Sequence, residues 1–304
     1  MSFDRLISGI KRMNNPTVAG LDPKLDFIPE HIKAKSFAAF GQTLEGAADA
    51  LLQFNKGLID ALYDIVPAVK PQSAYYEMYG WQGVKALSET IAYAKAKGMF
   101  VITDAKRNDI GTTAEAYAAA YLDSTAIGNE NIAAFGADAL TVNGYLGTDG
   151  LRPFVDVCKK NDKGIFVLVK TSNKSSGELQ DKTLGFQTVY EFMGEMCEGL
   201  GSDTIGEYGY SAVGAVVGAT YPEQLTELRQ KLPHTFFLVP GYGAQGGGAA
   251  GLKGSFDKNG LGAIVNSSRA IMCAYKTENI DGEAFAEAAR REALRMKEDI
   301  NSHI

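Results

Sequence analysis

Eight short apolar runs, each closing in polar or glycine-rich residues, punctuate the chain: Thr17–Leu21, Ile65–Val69, Met99–Thr103, Ala139–Val142, Ile165–Val169, Gly214–Gly218, Phe236–Val239 and Ala263–Val265. Helix-like stretches separate them, among them Phe37–Tyr63, Gly80–Lys97, Thr113–Leu122, Leu184–Glu198 and Tyr221–Lys231. Strands that alternate with helices pair in parallel, because each crossover needs a covering helix. Eight such units in 304 residues predict an α/β fold, a closed (β/α)8 barrel in a single domain over 1–304. The competing arrangement is an open, doubly wound sheet. The barrel is favoured by where the polar residues fall. Asp22, Lys70, Asp104, Lys106, Ser172, Gln245 and Arg269 stand at or just past the ends of runs, and in a barrel those ends converge on one mouth.

Two segments exceed a minimal barrel. Residues 24–36 delay the first helix, and 173–211 lengthen the fifth connection with a polar stretch before its helix. Both are decorations, too short or too polar to be domains. A hydrophobic content of 45% supplies a substantial core. Lys and Arg number 30 against 36 Asp and Glu, a net charge of -6 with no basic block, which argues against a nucleic-acid partner. Cys158, Cys197 and Cys273 are widely spaced and odd in number, as reduced thiols of a cytoplasmic protein are. The stretch Met1–Ile7 has no sustained apolar core, and nothing later approaches the roughly 18 unbroken apolar residues of a membrane span. A soluble, cytoplasmic protein is expected.

The densest chemistry is Asp104-Ala105-Lys106-Arg107-Asn108-Asp109, directly after the third run. Alternate strand residues share a face, so Asp104 and Lys106 are expected to point the same way, with Asp109 on the turn beyond. A lysine fenced by two carboxylates stays protonated and crowds negative charge beside a bound anion, which suits proton donation to a developing carbanion. A plain strand-end ion pair is the alternative. Lys70 and Asp22 at other strand ends weigh against it, because four or five ionisable groups at one mouth are costly to desolvate. The loop Tyr242-Gly243-Ala244-Gln245-Gly246-Gly247 and Ser267-Ser268-Arg269 follow runs seven and eight, where barrels commonly bind phosphate through loop amides. Arg269 adds a bidentate cationic fork.

The stretch 104–109 and its flanks resemble the signature of the orotidine 5'-phosphate decarboxylase family, in its longer bacterial branch. The resemblance runs from about residue 15 to about residue 275. It is carried also by Gly20-Leu21-Asp22-Pro23, Val69-Lys70-Pro71-Gln72, Lys170-Thr171-Ser172-Asn173, Pro240-Gly241-Tyr242-Gly243-Ala244-Gln245-Gly246-Gly247 and Asn266-Ser267-Ser268-Arg269. It implies decarboxylation of orotidine 5'-monophosphate to uridine 5'-monophosphate in pyrimidine synthesis, with no cofactor and no metal. Lys106 would be the proton donor, within a charged network of Asp104 and Lys70. Asp22 would hold a ribose hydroxyl. Asp109 and Thr113 would reach into the partner subunit's site, implying a homodimer with shared sites, and Ile110 would line the pocket beside the departing carboxylate. Ser172 would bond the pyrimidine edge, with Thr171 and Asn173 offering similar chemistry nearby. Gln245 would bridge base and phosphate, Arg269 would grip the phosphate, and Pro240, Gly246 and Ser268 complete the expected binding set. Asn143 belongs to the mouth or to a turn.

Loss of carbon dioxide from a pyrimidine carbon leaves a carbanion with no π sink, so the barrier must fall by roughly 20 kcal/mol. A charge pair about 4 Å apart supplies about 4 kcal/mol at an effective dielectric of about 20. The remainder must come from preorganised surroundings and remote binding, the phosphate grip included. Asp104 is also placed to repel the substrate carboxylate, a lesser contribution. Two rivals stand beside this reading. One is a related metal-dependent sugar-phosphate decarboxylase or lyase on the same barrel, whose relatives hold magnesium with a similar Asp-x-Lys-x-x-Asp strand end. Lys70 stands where those families carry an acidic ligand and would repel a divalent cation. The other is a non-catalytic nucleotide-phosphate binder, which the presence of every expected charged group disfavours.

Overall fold

The computed structural model describes residues 2–243 and 248–304. Among these, eight parallel strands close into a barrel: β1 Thr17–Leu21, β2 Ala68–Pro71, β3 Phe100–Arg107, β4 Ala139–Val142, β5 Gly164–Lys170, β6 Val213–Val217, β7 Phe237–Val239 and β8 Ala263–Ser267. Spatial order follows chain order, and β8 pairs with β1 to complete the ring. Each apolar run of the sequence forms one of these strands. The second starts three residues later than expected, at Ala68, and the third runs on to Arg107. All C-terminal strand ends therefore share one mouth.

The pleat sorts the core into two layers. Inward positions such as Val18, Ala68, Ile102, Phe166, Leu238 and Ile264 fill the barrel, while the alternate residues Ala19, Val69, Val101, Val167 and Val265 pack against the surrounding helices. Those helices are α2 Glu30–Phe40, α3 Leu44–Leu62, α4 Gly80–Ala96, α5 Gly111–Leu122, α6 Thr148–Asn161, α7 Val189–Gly201, α8 Pro222–Lys231 and α9 Phe285–Asn301, with α1 Ser2–Met13 ahead of them. No helix among the described residues is long and apolar enough to cross a membrane.

The helix α1 closes the end opposite the mouth. Its Phe3, Leu6, Ile7 and Ile10 recur at helical spacing and are buried. The Phe3 ring lies 4.8 Å from Phe166 and 5.6 Å from Phe236, plugging the barrel floor. Arg5 donates to the buried Asp138 at 2.8 Å, and Lys95 reaches the same carboxylate at 3.2 Å. This plug was not anticipated from the sequence.

Three other expectations need correction. The stretch Phe37–Tyr63 is two helices rather than one, because Gly41 adopts φ +73° and Thr43 caps α3 by accepting from the Gly46 N–H at 3.2 Å. Residues 24–36 do not merely delay the first helix: they form a 3-10 turn, Leu25–Phe27, and most of α2. Within 173–211 a 3-10 turn (Lys174–Glu178) and a small hairpin (Thr183–Leu184 with Gln187–Thr188) precede α7, so Leu184 belongs to the hairpin and not to the helix.

Candidate active site

The strand alternation that fills the barrel continues past its last apolar layer. Two residues beyond Ala68 stands Lys70, and two beyond Ile102 stands Asp104; both are buried. Asp104 is the junction of the mouth. Its Oδ2 accepts from Lys70 Nζ at 2.8 Å and from Gln72 Nε2 at 2.9 Å. Its Oδ1 accepts from Lys106 Nζ at 2.6 Å and from Thr141 Oγ1 at 2.8 Å. Burial alone would raise the Asp104 carboxyl, but the Lys70 and Lys106 ammonium groups override it and hold the group well below the usual carboxylate range. Burial likewise works against the charge on Lys70, and the Asp104 and Asp22 carboxylates outweigh it, raising its affinity for the proton. Asp22 Oδ1 lies 3.9 Å from Lys70 Nζ. That oxygen is enclosed and makes no hydrogen bond among the described residues, an acceptor ready for a hydroxyl donor.

Two cavities meet at this junction. One, of about 440 Å³, is lined by Asp22, Lys70, Asp104, Pro240, Ser268 and Arg269, among others. The second, of about 410 Å³, shares Lys70, Asp104 and Pro240 and extends over Lys106, Thr141 and Ser172. The Lys70–Asp104 pair is thus the wall between a compartment reaching Arg269 and a compartment reaching Ser172. Gly20 leaves room for Ser268 on the lining of the first compartment, since a Cβ there would come within 1.9 Å of Ser268 Oγ. The floor of the second is tied by Gln180, which accepts from the Thr171 N–H at 2.9 Å and donates to Thr171 Oγ1 at 2.7 Å. Thr171 in turn donates to Asn173 Oδ1 at 2.6 Å, so both alternatives to Ser172 are engaged with neighbours.

Of the residues singled out from the sequence, Asp22, Lys70, Asp104, Lys106, Ser172, Pro240, Ser268 and Arg269 line one cavity or the other. Asp109, Ile110 and Thr113 line neither. They stand on the rim after β3, with Ile110 and Thr113 exposed and Asp109 Oδ1 accepting from the Ile110 N–H at 2.8 Å. Gln245 and Gly246 lie outside the described residues. Asn143 shapes a turn, accepting from the Tyr145 N–H at 3.0 Å. Gln72, Thr141 and Asn266 were given no role by sequence reasoning, yet all three line the cavities. For Thr141 and Asn266 the missed signal is parity: each is a polar residue two positions after an inward apolar one, Ala139 and Ile264.

A parallel barrel whose mouth sets a Lys–Asp–Lys chain beside an arginine, with Lys70 and Asp104 buried and Lys106 open to the cavity, defines a class: an enzyme that binds an anionic substrate and moves a proton beside buried charges. Comparison with known proteins narrows the class. The sequence pattern of the orotidine 5'-phosphate decarboxylase / HUMPS family matches residues 47–280. The orotidine 5'-phosphate decarboxylase of Rhodopirellula baltica is 45% identical over 300 residues, 97% of each chain. The structure of Leishmania donovani OMP decarboxylase is similar with a TM-score of 0.72 at 32% identity, over 97% of this chain and 98% of that one. The Leishmania donovani UMP synthase is matched with a TM-score of 0.73 at 34% identity; this chain spans 97% of itself and 56% of that longer chain. The chain belongs to the orotidine 5'-phosphate decarboxylase / HUMPS family.

Proposed function

We propose that this chain is a carboxy-lyase that converts orotidine 5'-monophosphate to uridine 5'-monophosphate and carbon dioxide in pyrimidine synthesis. The observation that carries the reading is the Asp104 carboxylate shared between Lys70 and Lys106 at the meeting point of the two cavities. In the reaction the bond from the pyrimidine carbon to its carboxylate breaks, carbon dioxide leaves, and the electron pair stays on the ring carbon. Lys106 Nζ delivers the proton that neutralises it. Asp104 holds that ammonium in place, and Lys70, bonded to the other carboxylate oxygen, fixes Asp104 in turn. Asp22, with its unmet Oδ1, takes a ribose hydroxyl. Arg269 and Ser268, with Gln245 and Gly246, bind the phosphate, while Ser172 and Pro240 bound the pyrimidine.

The metal-dependent alternative is disfavoured by the donor set. Both Asp104 oxygens are occupied by ammonium groups, and a divalent cation would meet those two positive charges at contact range. The chain works as a homodimer with shared sites, in which Asp109 and Thr113 serve the partner's cavity and Ile110 lines a pocket beside the departing carboxylate. Exposed apolar side chains support this: Met78 and Trp81 after β2, Ile110 after β3, and Tyr145 and Leu146 after β4 ring one side of the mouth. The domain is one barrel over 1–304, and the setting is cytoplasmic, in keeping with three buried free cysteines. A spectrophotometric assay with orotidine 5'-monophosphate in excess chelator tests the function. Undiminished conversion to uridine 5'-monophosphate is expected. Loss of activity with the chelator, restored by magnesium, would transfer the chain to the metal-dependent reading.

A further inference from the structure

Lys106 has φ +49°, in the left-handed region that a lysine rarely occupies. The residue sits where β3 loses its register with β4, between Thr103 and Arg107. Its N–H does not pair with the β4 backbone. It donates instead to Thr141 Oγ1 at 3.0 Å, and the same hydroxyl donates to Asp104 Oδ1 at 2.8 Å. The proton count leaves no other arrangement: a carboxylate held far below its ordinary pKa only accepts, so the hydroxyl hydrogen points to Asp104 and an oxygen lone pair receives the amide. Thr141 is buried within the barrel mouth, and its β-branch restricts χ1 and so holds the hydroxyl oxygen to few positions.

We propose that Thr141 is the positioning residue of the proton donor, holding the Lys106 backbone in its left-handed conformation and turning Asp104 Oδ1 towards the Lys106 ammonium. The inference rests on the reading of Lys106 as the donor. One oxygen on β4 then sets both the root and the tip of the Lys106 side chain. Released from it, the lysine backbone relaxes towards ordinary strand geometry and Nζ leaves the shared wall of the cavities. Displacements of about 1 Å at a reacting group cost on the order of a hundredfold in rate.

The test is Thr141→Val, which keeps shape and strand preference but deletes the hydroxyl, with Thr141→Ser as rescue and Thr141→Ala standing in should the valine variant not fold. Binding of uridine 5'-monophosphate reports the folded, ligand-competent fraction. The expected result is a fall in kcat of about 30- to 100-fold with KM and product affinity within about threefold of the parent. Serine should restore kcat to within about threefold, and Thr141→Val should add little to the loss already caused by Lys106→Ala. Unchanged kcat in Thr141→Val, failure of serine to rescue, or parallel loss of kcat and binding would each overturn the proposal. Full activity of Lys106→Ala alone would instead overturn the assignment of the donor, so the two failures are distinguishable.

Discussion

Asp104 accepts hydrogen bonds from Lys70, Gln72, Lys106 and Thr141, so its charge is spoken for on every side. Removing that charge with Asp104→Asn leaves the buried Lys70 ammonium without its nearest carboxylate and with Asp22 3.9 Å away, at a cost of about 3–5 kcal/mol in stability. The pH dependence follows from the two directions of shift. Asp104 is lowered from 3.8, so its contribution is present above that value and is lost as pH falls from there towards the lower folded pKa. Lys70 is raised from 10.5, so its contribution is present below that value and is lost as pH rises through the higher folded pKa. Chemical denaturation across pH should show the parent's advantage over Asp104→Asn level between pH about 5 and 9, shrinking on both sides; an advantage that grew in acid would contradict the charge assignment. Asp104, Lys70 and Lys106 were legible in the sequence because alternation at a strand end needs only local geometry. The left-handed backbone of Lys106 was not, since nothing about lysine suggests it and the bulge arises from pairing with β4. Thr141 was hidden for a related reason: one threonine within an apolar run reads as ordinary strand.

At the level of elements, the eight strands were readable because each is a short apolar run with a polar end, a pattern set by local burial. The helix α1 was not. Its apolar face at Phe3, Leu6, Ile7 and Ile10 is visible in the sequence, but the surface it covers is assembled from Phe100, Phe166 and Phe236, far along the chain. The break at Gly41 was missed because both flanking helices are compatible with one continuous pattern, and they are separated by the +73° backbone angle of Gly41 and the Thr43 cap. Because α1 closes the floor and the chemistry lies at the opposite end, the two should separate experimentally. Phe3→Ala removes a fully buried ring and should cost about 3–5 kcal/mol by urea unfolding. Its kcat per folded molecule should stay within about twofold of the parent, since no group at the mouth moves. A large loss of kcat at full folding would show that floor and mouth are coupled.

For the whole molecule, the rim residues decide how many chains a site needs. Asp109, Ile110 and Thr113 line neither cavity of their own chain, and a shared-site dimer, as proposed, would give Asp109 and Thr113 a place in the partner's. If so, Lys106→Ala and Asp109→Ala chains, each inactive as its own dimer, should regain about a quarter of parent activity when mixed equally and allowed to exchange: half the dimers are mixed, and each of these holds one intact site. No recovery despite demonstrated exchange would place Asp109 in its own chain's site. Within each site, as proposed, the Lys106 ammonium delivers the proton to the carbon that loses its carboxylate. Carbon dioxide release by Lys106→Ala under saturating orotidine 5'-monophosphate measures it directly, with uridine 5'-monophosphate affinity as the check on the pocket. Release should be at least about a thousandfold slower, with product affinity within about tenfold; release at the parent rate would rule out Lys106 as the donor.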